Sequence, residues 1–123
     1  MGRWDGEGSK IGSGLFSTRQ ERRSALATTA ILELRIKPDS VDASVDILHR
    51  ILEETRAFDG CLGVTVIQDA SDPAHVVAVE EWESLEKDAA YRAWRAGDGA
   101  MPELAAILAG APNLIVGEAR TDI

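Results

Sequence analysis

Between Thr29 and Arg120 the spacing of apolar residues switches between a strand period and a helical period in one order: strand, helix, strand, strand, helix, strand. Few folds accept that order. Two successive strand–helix–strand units place four strands in one antiparallel sheet and both helices on the same face. This is the α+β, ferredoxin-like βαββαβ arrangement. The helices cover one face only. The other keeps a mixed apolar surface, for which sheet-to-sheet pairing of two copies is the simplest answer.

The individual segments read as follows. Ala30, Leu32, Leu34 and Ile36 alternate with Ile31, Glu33, Arg35 and Lys37, which describes a strand with one apolar face that ends at Pro38. Asp39 or Ser40 can cap the next helix, whose stripe is Val41, Val45, Leu48, Leu52 and Thr55, widened by Ile47 and Ile51. Asp46–Arg50 and Arg50–Glu54 are i,i+4 pairs on its wet side. Asp59-Gly60 stops it. Cys61–Gln68 and Ala74–Trp82 form a hairpin around a five-residue loop, Asp69 to Pro73. Ser84 caps a second helix over 85–95 with Leu85, Ala89, Ala90, Ala93 and Trp94 inward. Pro102 starts a short helix carrying Leu104, Ile107 and Leu108, and 113–120 is the last strand.

Charge divides the chain. Arg3, Lys10, Arg19, Arg22 and Arg23 face only Asp5, Glu7 and Glu21, so the residues after Thr28 carry more than the whole net charge of −8. The glycine- and serine-rich start has too little apolar surface to offset the entropy of ordering it. Residues 1–28 are therefore expected to be a flexible leader and 29–123 the folded domain. With no clustered Lys and Arg, nucleic acid is excluded as a partner. No apolar run reaches the roughly 18–20 residues of a membrane span. A membrane partner is not expected, and without a targeting signal the location expected is cytoplasmic. One cysteine, Cys61, gives no intramolecular disulfide framework, and with only His49 and His75 beside it the usual zinc sets cannot form.

Three stretches resemble the antibiotic biosynthesis monooxygenase superfamily: the run from Glu54 to Val64 through Phe58-Asp59-Gly60-Cys61, the pair Asp72-Pro73, and Val79-Glu80-Glu81-Trp82-Glu83-Ser84. In that family a helix end leads into a glycine–cysteine step, a hairpin, and a third strand finishing in Trp-Glu-Ser. The resemblance implies a homodimer whose two sheets face each other in a dimeric α+β barrel. It also implies a relation to cofactor-free quinol and anthrone monooxygenases, to haem-degrading enzymes, and to members with no assigned reaction. Two departures matter. The anthrone-oxidising branch has an asparagine four residues before the strand-ending tryptophan, where this chain has Ala78. The haem-degrading branch uses a histidine in the second helix region, and this chain has none after Trp82.

The function this implies is oxidation of a small electron-rich aromatic, a hydroquinone or anthrone-like ring, with dioxygen and no cofactor. The alternative is a non-catalytic dimeric binding or stress-response module that holds an apolar ligand. Trp82, Tyr91 and Trp94 are the expected substrate-binding aromatics, although Trp82 and Trp94 can equally close the core. His75 as a base and Arg35 as an anion stabiliser are the expected catalytic groups. Each also reads as an ordinary strand-end or ion-paired residue. Cys61 reads as a buried small hydrophobe, and Glu80, Glu81, Glu83, Glu86 and Asp88 as a solvated acidic rim.

Overall fold

A computed structural model describes residues 27–123. The expected leader, 1–28, lies outside them except for its last two residues, of which Thr28 opens the first strand. The elements are β1 (Thr28–Arg35), a 3-10 turn (Pro38–Ser40), α1 (Val41–Ala57), β2 (Cys61–Asp69), β3 (Asp72–Trp82), α2 (Leu85–Arg95), α3 (Pro102–Ile107) and β4 (Asn113–Gly117). The strands form one sheet in the order β2-β3-β1-β4, antiparallel at every junction. This is the ferredoxin-like arrangement expected from the order of elements. No helix among the described residues is long and apolar enough to cross a membrane.

Register fixes the two faces. Ala30 lies opposite Glu80 and Val116, Leu32 opposite Ala78 and Leu114, and Leu34 opposite Val76. These residues point toward the helices. The intervening residues Thr29, Ile31, Glu33 and Arg35, with Glu81, Val79, Val77 and His75 across from them, share the other face.

Several local expectations change. The hairpin loop is only Ala70-Ser71, because the Asp69 carboxylate accepts from the Ser71 backbone N–H and hydroxyl, both at 2.8 Å, and closes a tight turn. Pro73 is tolerated inside β3 because a register shift falls there. Val45 is 68% exposed and Ser44 takes its place inside, its hydroxyl satisfied by the Val41 carbonyl at 2.6 Å. Arg50 pairs with Glu103 on α3 at 2.8 and 3.2 Å rather than along its own helix.

The largest change is in α2, which turns its alanine face outward. Leu85 is 58% exposed, whereas Asp88 and Tyr91 are buried. The reason is polar: this helix packs through Asp88, Tyr91, Arg92 and Arg95, which bond to one another and to groups on α1 and β3. Ser84 caps it as expected, accepting from the Lys87 N–H at 3.2 Å.

The core is split. One cluster joins Leu34, Ile36, Ile51, Val76 and Leu104; the other joins Ala30, Trp82 and Tyr91 with Phe58, Cys61 and Trp94 against them.

Candidate active site: a cavity between sheet and helices

A cavity of about 270 Å3 lies between the two clusters and is lined by members of both. Its floor is the helix-facing side of the sheet, with Leu32, Val66, Ala78 and Leu114. Its roof includes Leu48 and Leu52 from α1 and Met101 from the approach to α3. Among the described residues, the only charged or hydroxyl-bearing ones in the wall are Glu80, Tyr91, Arg92 and Arg95. An apolar chamber with a few convergent polar groups is the usual form of a small-molecule site, and this volume is near the lower end of the usual range.

The two arginines differ. Arg95 donates from Nε to the Tyr91 hydroxyl (2.8 Å), from Nη1 to Glu54 (3.1 Å) and the Gly99 carbonyl (3.1 Å), and from Nη2 to the Ile51 carbonyl (3.0 Å) and Thr55 (3.2 Å). Every nitrogen is used. Its guanidinium also lies 4.5 Å from the Trp94 ring centroid and 5.2 Å from that of Tyr91. Arg92 uses Nη2 alone, for Glu80 Oε1 at 2.6 Å and Asp88 Oδ1 at 3.0 Å, and its buried Nε has no partner among the described residues.

Glu80 is 1% exposed. Its Oε1 also accepts from the Trp82 indole N–H at 3.1 Å, so both donors address the same oxygen.

The expected site residues separate into groups. Tyr91 is in the cavity wall, buried, with its hydroxyl engaged by Thr55 at 2.7 Å and by Arg95. Trp82 and Trp94 stand behind it: ring centroids are 4.9 Å apart for Trp82–Tyr91 and 6.1 Å for Tyr91–Trp94, and Phe58 touches all three. Trp82 is wholly buried and neither tryptophan reaches the cavity.

Arg35 and His75 are on the opposite side of the sheet, because their positions on β1 and β3 have the other parity. Arg35 pairs with Asp72 at 3.3 Å. The His75 imidazole bridges Asp69 at 2.8 Å and Glu33 at 2.6 Å. The Asp69 hydrogen bond, aided by that of Glu33, raises its pKa above the ordinary 6.5 and outweighs partial burial and the nearby Arg35. The same contact holds Asp69 far below the usual carboxylate range.

Sequence reasoning missed Glu80, Asp88 and Arg92, treating the two acids as a solvated rim. The signal was available in β3: Glu80 shares parity with Ala78 and Trp82, so an inward Trp82 requires an inward Glu80. Cys61 is half-buried, and burial pushes its thiol up, as befits an unreactive packing residue.

Fold and cavity together define a ferredoxin-like α+β domain with a small-molecule chamber between sheet and helices. The sequence pattern of the antibiotic biosynthesis monooxygenase family matches residues 27–100, and the chain belongs to that family. No curated protein matches it. Among solved structures it is similar to an antibiotic biosynthesis monooxygenase at 24% identity and TM-score 0.67, covering 76% of this chain and 98% of that one. It is also similar to a conserved protein from Methanosarcina mazei Go1 at 20% identity and TM-score 0.71, covering 80% and 97%. A third similar structure is SnoaB, a cofactor-independent oxygenase from Streptomyces nogalater, at 15% identity and TM-score 0.64, covering 79% and 96%. At these identities the structural likeness carries the fold alone.

Proposed function

We propose that this protein is a cofactor-independent monooxygenase that oxidises a small electron-rich aromatic, a hydroquinone or anthrone-like ring, with dioxygen. The observation that carries the reading is the chamber of about 270 Å3, apolar on floor and roof with its polar groups gathered on β3 and α2. Such a site binds a flat ring by burial, favours loss of one acidic proton from the substrate, and keeps water from the anion. The anion passes one electron to dioxygen, the radical pair joins to a peroxide, and the peroxide collapses to the quinone and water. One oxygen atom enters the product and the other leaves as water. All four reducing electrons come from the substrate.

Within this reading Tyr91 meets the substrate ring, and Trp82 and Trp94 fix the angle of Tyr91 from behind. Arg35 and His75 have no part in the cavity chemistry. They belong to the face on which a second copy packs in the homodimer we propose. The setting we propose is cytoplasmic.

The binding-module alternative has one observation in its favour. Ala78 presents a methyl group to the cavity at the position where the anthrone-oxidising branch has an asparagine.

The test is oxygen uptake by purified protein with a panel of hydroquinones and anthrones, no cofactor added, corrected for autoxidation. The expected result is uptake that saturates with substrate and is lost in Ala78→Leu, which fills the chamber without emptying the core. Uptake indifferent to that substitution contradicts the site. Ligand binding without uptake across the panel favours the module.

A further inference from the structure

Glu80 and Arg92 each keep one hydrogen-bonding atom in reserve at the cavity wall. Trp82 Nε1 and Arg92 Nη2 both donate to Glu80 Oε1, and among the described residues no donor addresses Oε2. Arg92 Nε is buried with no acceptor. A buried donor left unpaired costs about 1–3 kcal/mol, so a native site that keeps one calls for an explanation. An unpartnered acceptor and an unpartnered donor on two ion-paired side chains of one cavity wall complement a hydroxyl, which gives one hydrogen and takes another.

We infer that Glu80 is the proton acceptor of the cavity, taking the hydrogen of a phenolic or enolic hydroxyl on Oε2 while Arg92 Nε–H donates to the oxygen left behind. The O–H bond breaks, the proton moves to Glu80, and the electron pair stays on the substrate oxygen, where Arg92 stabilises it. Asp88 is a positioning residue: it holds Arg92 Nη2 and touches no substrate. Trp82 acts likewise on Glu80 through its indole N–H. The substrate class narrows to aromatics that carry a free ring hydroxyl, or a ketone able to enolise to one. A fully etherified ring lacks the group that the corner reads. This inference rests on the cavity being the substrate site.

The test is a binding measurement that needs no turnover. 2-Naphthol and 2-methoxynaphthalene, which differ only in the hydroxyl, are titrated under argon into the full-length protein, with affinity read by isothermal calorimetry. The wild type should bind the naphthol about 10-fold more tightly or better, as expected of hydrogen bonds to charged groups. Glu80→Gln keeps an acceptor for Trp82 and Arg92 but puts an amide nitrogen at Oε2. Arg92→Lys keeps a cation for Glu80 and Asp88 but removes Nε–H. Glu80→Gln should abolish the preference, whereas Arg92→Lys, which takes a donor away from the oxygen that both probes carry, should weaken both.

Where oxygenation is measurable, Glu80→Gln should lower kcat by about 100-fold or more and raise KM by about the 10-fold lost in binding. Equal binding of the two probes by the wild type overturns the roles of Glu80 and Arg92 while the cavity reading stands. Binding of neither probe overturns the cavity reading, and the inference with it.

Discussion

The Arg95 side chain is 8% exposed, yet each of its nitrogens has a partner, and those partners lie on α1, on α2 and at Gly99. Its work is structural: it ties two helices and a loop over the aromatic cluster. Arg95→Ala should cost about 1–3 kcal/mol, since it takes the donor from the Gly99 carbonyl and unties α1 from α2, while Thr55 still bonds Tyr91 and the Ile51 carbonyl; Arg95→Lys should recover only part of this in urea unfolding. Gly99 is the companion case. A β-carbon there would sit 2.4–2.6 Å from the Trp94 ring carbons, so Gly99→Ala should destabilise by about 1–3 kcal/mol, or move Trp94 and change the protein's tryptophan fluorescence. Neither residue announces itself in the sequence. Arg95 reads as the last charge of a solvated helix, and a glycine beside an aspartate reads as a turn. Only the folded chain brings Ile51, Thr55 and Gly99 to one guanidinium.

The elements were legible where a period could be counted. Alternation in β1 and β3 fixed their inward faces, and the same parity, pursued one residue further, separates Glu80 from Arg35 and His75. The α2 helix was not legible in this way, because hydrophobicity chooses the alanine stripe whereas the fold buries Asp88 and Tyr91 and turns the half-buried Arg92 toward the cavity. A polar face wins when its groups satisfy one another: Glu80 on β3 awaits Arg92, and no scale of single-residue hydrophobicity records a partner elsewhere in the chain. On the opposite sheet face, His75 ties β3 to β1 through Glu33 and to β2 through Asp69. Its pKa is raised above 6.5, so its contribution to stability is complete below that pH and disappears as pH rises through the raised value. The urea midpoint should therefore fall as pH rises from about 6 through the raised value. His75→Gln should remove that dependence. A midpoint equally pH-dependent in the variant contradicts the role given to His75.

At the scale of the whole molecule, the sheet has one covered face and one uncovered one. Thr65, Val79, Ile31 and Ile115 line up across all four strands of the uncovered face, and Ile31, Ile67 and Ile115 are exposed. Such a band on a domain of this size is what a second copy would bury. The homodimer predicts a sedimentation mass of twice 13.2 kDa, reduced to the single-chain mass by Ile31→Lys, whose ammonium would need to enter the dry interface. A wild type that sediments as a single chain at tens of micromolar contradicts it. The covered face holds the split core, and the chamber between its halves is the centre of the functional account. Reaction under isotopically labelled dioxygen, with the product and the water released examined by mass spectrometry, tests that account most directly. The account predicts one labelled oxygen in the quinone and one in water per turnover, with no cofactor added. Product carrying no label, or no product from any hydroxyl-bearing aromatic offered, would contradict it.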